Sequence, residues 1–293
     1  MSYLLIFISV VFSSLSTVCQ KNYTIATSGI KTSLNLYMLI AHPIAAIYFF
    51  CLSKGFVPLN TATFIFAFIY ALVCIAAVLL NMLAFNKISL VYISVFGGAG
   101  SVIIPFLFET FFRGEAFSIY ELISVISRII AVLVPLLMSK RGTKETRTGF
   151  FLCTLLFFNG GLGGIIPKLF AEHPMTLSNN SFCFWTNIII VPIISIAVLK
   201  TDGIKNLSSD MKKINPAMFA YILAGTAFGN LGSLIKLQTL KAISATIYSV
   251  LSSSLSMVLT LFLSLLVYKE KASTQLIISV SFSILAVIFG MFN

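Results

Sequence analysis

Several clusters of small and polar residues interrupt otherwise apolar stretches of this chain. Their chemistry is that of holding a polar solute away from water. Ser252-Ser253-Ser254 and Ser256 offer hydroxyls, and Gly97-Gly98-Ala99-Gly100-Ser101 offers space and backbone. Asn159-Gly160-Gly161-Leu162-Gly163-Gly164 is the densest such place, and Ser13, Ser14, Ser16 and Thr17 stand at a matching depth in the first apolar stretch. Asn81 and Asn230 add amides. A buried amide or hydroxyl without a partner is costly, so each must bond its own helix, a neighbouring helix or a solute. The glycine run reads in two ways, as a helix contact surface or as a locally unwound segment facing substrate.

Three ionisable residues sit where lipid would surround them. Arg128 falls at the centre of the fifth apolar stretch and is the one basic residue that cannot be assigned to a link between stretches. At that depth a cation costs ~2.5–3.5 kcal/mol on insertion scales, so it needs a partner. Glu109 is the nearest acidic candidate, either to neutralise Arg128 or to couple with it. His42 lies mid-stretch beside Pro43, placed for proton coupling or for a hydrogen bond to the carbonyl that the proline frees. The two histidines and eight acids are dispersed, and the five cysteines are scattered. No spacing suggests a metal site, a disulfide framework, a cofactor motif or an acid–base pair, so a membrane-embedded enzyme is the weaker class of reading.

The elements that must position these groups follow from composition. Of 293 residues, 59% are hydrophobic and 9% charged, against about 25% charged in a soluble domain. The net charge of +11 comes from basic residues set one or two at a time in short links. That spacing fits anionic lipid headgroups and excludes the single basic face a nucleic-acid partner needs. Ten apolar stretches span residues 3–19, 33–52, 61–83, 89–112, 119–138, 149–167, 181–199, 216–235, 244–268 and 274–292. Each is about 20 residues, enough to cross a bilayer, and the links are too short to fold alone. The first has no basic residue before it and no small-residue cleavage pattern after it, and reads as a retained span.

The last fifty residues have a counterpart earlier in the chain. Shifted by 155 positions, residues 243–293 lie without a gap on 88–138, with 13 identities in 51 pairs. Among these pairs, Ser256 falls on Ser101, Glu270 on Glu115 and Ser273 on Ser118. Pro43-Ile44 and Pro192-Ile193 extend the match to the second and seventh stretches. A duplicated unit of five spans inserts upside down the second time, because five is odd. The expected fold is therefore an all-α integral membrane protein of ten transmembrane helices in two inverted five-helix repeats. These occupy residues 1–139 and 149–293, with a basic linker at 140–148. Thirteen Lys and Arg fall in the alternate links that include this linker and five in the others, which places the linker side in the cytoplasm and both termini outside.

The segment from Leu240-Lys241-Ala242-Ile243-Ser244-Ala245 through the serine-rich helix to Lys269-Glu270-Lys271 and Ser273-Thr274-Gln275 resembles the closing segment of EamA-type proteins of the drug/metabolite transporter superfamily. Residues 84–122 resemble the same pattern, with Glu115 and Ser118 at the matching places. The family's proline midway along the fourth and ninth helices is replaced by Ser101-Val102 and Ser256-Met257, with Pro105 nearby in the first half alone. The resemblance implies a secondary transporter or exporter of a small metabolite, such as an amino acid or a drug, in the plasma membrane. It also implies a cavity between spans 1, 3, 4, 6, 8 and 9. Relatives with sugar-nucleotide substrates keep both termini in the cytosol, against the charge count. A sugar-phosphate or nucleotide-sugar transporter and a lipid-carrier flippase are open on the same scaffold. The implied partners are a small solute and the bilayer, and the oligomeric state, with a monomer among the options, is left open.

Overall fold

The structure is a computed structural model and describes residues 2–30, 32–85, 87, 90–114, 118–138, 144–201, 203–266, 274–290 and 292. Glu115, Lys269-Glu270-Lys271, Ser273 and positions 140–143 of the basic linker lie outside the described residues.

Among the described residues the chain forms eleven α-helices: α1 Ser2–Ala26, α2 Ser33–Leu52, α3 Thr61–Phe85, α4 Leu90–Phe112, α5 Ile119–Met138, α6 Lys144–Glu172, α7 Asn179–Thr201, α8 Gly203–Met211, α9 Pro216–Leu240, α10 Ala245–Leu266 and α11 Thr274–Gly290. Seven of these are long and apolar enough to cross a membrane, and α4 and α11 contribute shorter apolar runs, Phe96–Phe112 and Ile277–Gly290. The molecule is an all-helical, multi-pass membrane protein. Large side chains such as Phe64, Ile65, Phe68 and Leu72 on α3 lie exposed on its surface, as a lipid-facing helix requires.

Several helices outrun the stretches that hydropathy marks. α1 continues past Cys19 through Lys21 to Ala26, and α9 continues past Ile235 through Lys236 to Leu240. α6 begins at Lys144, inside the expected linker, and runs through Lys168 to Glu172. The physical reason is that hydropathy locates the edge of hydrocarbon, while a helix ends only where its backbone hydrogen bonds find other partners. Arg128 is accordingly not the one basic residue within a helix. The helix α8, inside what reads as a plain link, is a second difference.

Helix ends use ordinary devices. The Asn215 side chain accepts from the amide of Met218 at 2.8 Å, with Pro216 in the first helical position. Pro43, Pro105, Pro167 and Pro192 lie inside α2, α4, α6 and α7. The sharp turn after α2 places Gly55 at φ 81°, a conformation glycine adopts without steric cost.

The main packing pairs are α1 with α9, α4 with α6, α5 with α11, α4 with α10 and α2 with α7, and α3 lies against both α6 and α7. Small residues let two of these pairs approach closely. A Cβ on Gly100 would run into the Phe157 carbonyl, and one on Gly160 into the Gly97 carbonyl, so α4 and α6 meet nearly backbone to backbone. Between α1 and α9, a Cβ on Gly232 would lie 2.9 Å from the Ser13 hydroxyl oxygen. In the same contact Ser9 donates to Gly232 O at 3.0 Å and Ser16 to Gly225 O at 2.7 Å.

Outside the spans, α8 closes onto the start of α2. Asp210 accepts from the Thr32 hydroxyl at 3.0 Å and the Thr32 amide at 3.4 Å, and pairs with Lys213 at 2.6 Å. A carboxylate there also complements the dipole of α2. Lys213 first, then Thr32, hold the Asp210 carboxyl below its ordinary value, against the opposing effect of burial.

Two predictions follow from this packing. Gly100→Ala should lower the thermal stability of the detergent-purified protein by several kcal/mol on the order of an overpacked core. Gly163→Ala, whose Cβ meets nothing within 4 Å, should be near neutral, and equal effects would show that the α4–α6 contact is not tight. Because the folded-state pKa of Asp210 is depressed, its stabilisation is full above the ordinary carboxylate range and is lost as pH falls through the lowered value. Unfolding midpoints measured from pH 7 down to pH 3 should therefore decline less steeply in Asp210→Asn than in the wild type.

Candidate functional site

A cavity of about 280 Å³ opens in the middle of the bundle, walled by α1, α3, α4, α6, α9 and α10. Ser13 and Thr17 enter from α1, Asn81 from α3, and Gly97, Gly98 and Ser101 from α4. Gly160 and Gly164 enter from α6, and Tyr248, Ser249, Ser252, Ser253 and Ser256 from α10. Gly97 opens the wall, since a Cβ there would touch nothing within 4 Å. Gly98 has a different role, because a Cβ on it would strike the Arg128 guanidinium and lie 3.1 Å from Ser253 Cβ. The serines bond their own helices, Ser101 to Gly98 O at 2.8 Å, Ser253 to Val250 O at 3.3 Å and Ser252 to Ser249 O at 3.4 Å. Hydroxyls bonded in this way still keep lone pairs for a solute and can rotate to donate to it.

A second chamber of about 230 Å³ lies among α1, α2, α3, α7 and α9 and takes the remaining polar candidates, Ser16, Asn230 and His42. The Asn187 amide nitrogen donates to Cys183 O at 2.8 Å, which directs its oxygen to His42 Nδ1, also 2.8 Å away. His42 Nδ1 therefore carries the proton in the neutral ring, and Nε2 is an acceptor. His42 thus bonds a side chain on α7 and not a carbonyl freed by Pro43. Among the described residues the other His42 nitrogen, the Asn230 amide nitrogen and the Thr226 hydroxyl have no partner, and all three residues line this chamber.

Other sequence-based expectations are corrected. Asn159 and Gly161 line neither chamber; a Cβ on Gly161 would collide with Ile104, so this glycine serves the α4–α6 contact. The Gly160–Gly164 stretch is not unwound, because α6 is unbroken from Lys144 to Glu172. Arg128 and Glu109 do not pair. Glu109, near the end of α4, accepts from the amides of Ala245 and Thr246 at 3.0 and 3.2 Å and closely from the Thr246 hydroxyl. It caps the free N–H groups that begin α10, where a negative charge is favoured. Arg128 is 0% exposed and is held by neutral acceptors: Ser283 Oγ at 2.5 Å, Met257 Sδ at 3.2 Å and Ser253 O at 3.4 Å.

Sequence reasoning missed Lys236, which lines the central cavity and donates to Gly163 O at 2.6 Å. Hydropathy ends the span one residue earlier and so assigns this lysine to a link. The structure carries α9 on to Leu240 and so keeps Lys236 within the helix. Asn187 was missed too, since a single amide in an apolar stretch carries no pattern. Among the described residues, no group of three or more His, Cys, Asp or Glu side chains converges to hold a metal ion.

No protein-family model and no curated protein matches this chain. Its fold does recur among solved structures. A crystal structure described simply as that of a protein aligns over 97% of this chain and 96% of its own, with a TM-score of 0.64 at 12% identity. At that identity the likeness is one of fold.

Because Glu109 and Arg128 act apart, their substitutions should add. Glu109→Ala should cost about 0.5–2 kcal/mol, as loss of a helix cap does. The unfolding free energy of the Glu109→Ala/Arg128→Met protein should match the sum of the single effects within about 0.5 kcal/mol. A larger coupling would reinstate the pair.

Proposed function

We propose that this protein is a secondary transporter that moves a small polar metabolite across the membrane by alternating access, on the scaffold of two inverted five-helix repeats that the EamA resemblance implies. With α8 set aside as a link helix, α1–α5 form one repeat and α6, α7, α9, α10 and α11 the other.

The helix pairing supports this division. Exchanging each helix for its counterpart turns α1–α9 into α6–α3 and α4–α6 into α10–α1, and all four contacts are present. The pairs α5–α11, α4–α10 and α2–α7 map onto themselves. Arg128 also bonds Ser283, its own counterpart under the 155-residue shift. Equivalent residues meet in this way on a two-fold axis.

The observation that carries the reading is the composition of the central cavity. Its walls are the first, third and fourth helices of each repeat, and it gathers serine and threonine hydroxyls, an amide and a lysine within an apolar bundle. A site at the repeat interface can be opened to either side by rocking one repeat against the other. Its hydroxyls and amide replace the water a solute loses on entry.

In proteoliposomes loaded with candidate metabolites, Gly97→Trp and Ser252→Trp should each reduce flux to below roughly a tenth of wild type by filling the cavity. Leu285→Trp and Ile288→Trp, at exposed positions on α11, should transport normally. Normal flux through both cavity variants, with loss in the α11 variants, would place the solute path elsewhere.

A further inference from the structure

We infer that the central cavity selects a small anion, a carboxylate or a phosphate, and that Lys236 is the residue that recognises its charge. The inference rests on the reading of this cavity as the solute path.

Among the described residues Lys236 Nζ donates to a single carbonyl, Gly163 O at 2.6 Å, and its side chain forms part of the cavity wall. An ammonium carries three donors, and among the described residues no carboxylate pairs with this one. Two of the buried cations in the helices, Lys168 and Arg128, are differently placed. Lys168 is committed to Glu172 at 2.8 Å and to the carbonyls of Leu240 and Ile243 at 3.1 and 2.9 Å. Arg128 bonds Ser283, Met257 and the Ser253 carbonyl through its two terminal nitrogens, has an Nε with no partner among the described residues, and lines neither chamber. Lys236 thus keeps donor capacity beside an open space, within a region where an uncompensated charge is unfavourable.

The rest of the wall suits an anion. Among the described residues its side chains include no Asp or Glu, while Ser13, Thr17, Asn81, Ser252 and Ser256 are neutral groups able to donate. A carboxylate or phosphate presents several acceptor lone pairs and is matched by one cation with several neutral donors. A cationic solute would meet Lys236 as a like charge, and a neutral one would leave the ammonium uncompensated. The volume of about 280 Å³ is at the small end of ligand pockets, which excludes a nucleotide-sized anion in this conformation.

The test uses the full chain in proteoliposomes, with the five native cysteines replaced by alanine and Ser252→Cys introduced. Two methanethiosulfonate reagents are compared, one bearing a sulfonate and one a trimethylammonium group. In both, the thiolate attacks the sulfenyl sulfur and expels methanesulfinate, so charge is the difference between them. Relative to a free thiol in solution, the cavity cysteine should prefer the anionic reagent by about tenfold at low salt. Adding Lys236→Gln should bring that ratio back toward the solution value, and Lys236→Arg should preserve it. Inorganic phosphate and succinate are then tested for protection of the cysteine, with succinamide as the neutral control; protection by one anion assigns its class.

A ratio unchanged by Lys236→Gln, a cysteine that reacts with neither reagent, or protection by neither anion overturns the inference. A charge preference that depends on Lys236, with no flux of either anion, keeps the anion site and removes the transport reading. Flux through a cavity with no charge preference does the reverse.

Discussion

Inside a bilayer every polar group must find its partner within the protein, and that constraint decides where the helices of this molecule touch. Ser9 and Ser16 on α1 donate to the carbonyls of Gly232 and Gly225 on α9, at the points where glycine lets the backbones approach. Gly100 and Gly160 bring α4 and α6 nearly into backbone contact. These two close contacts flank the central cavity, which opens where the walls carry Gly97 and the α10 serines. The same small residues therefore serve packing at one register and space at the next.

Charges obey the same rule by different means. Glu109 neutralises the start of α10, a helix from the distant half of the chain, and so ties α4 to α10. Arg128 is surrounded by a hydroxyl, a thioether and a carbonyl between α5, α10 and α11. Its guanidinium occupies the space that a side chain at position 98 would need, which couples one cavity wall to the α5–α11 packing. Lys236 differs from both, because among the described residues its ammonium meets one carbonyl and faces the cavity.

The two chambers differ in character. The central one contains a cation and many hydroxyls, whereas the second has the His42–Asn187 pair, tyrosines and thiols and, among the described residues, no charged side chain in its wall. They share α1, α3 and α9, so a change in how these three helices pack would alter both at once.

The amino-acid sequence by itself determined the class of molecule, the approximate positions of its helices and most of the polar cavity lining. Apolar length and the rarity of charge are one-dimensional properties, and a serine in a long apolar run is conspicuous wherever it ends up. Ser13, Asn81, Gly97, Ser101, Ser252 and Ser256 were legible for that reason. Only the tertiary structure decided which glycines make space and which make contact, since Gly97 and Gly161 look alike until their neighbours on α6 and α4 are known. It also decided the partners of the ionisable residues. Its place inside an apolar stretch, a turn from the end of the fourth span, suggested Glu109 for Arg128, but Glu109 met the unpaired amides at the start of α10 and Arg128 met its own repeat counterpart, Ser283. Lys236 was hidden because hydropathy measures the surroundings a residue prefers, whereas a cation can remain inside the bilayer wherever packing supplies it with polar surroundings.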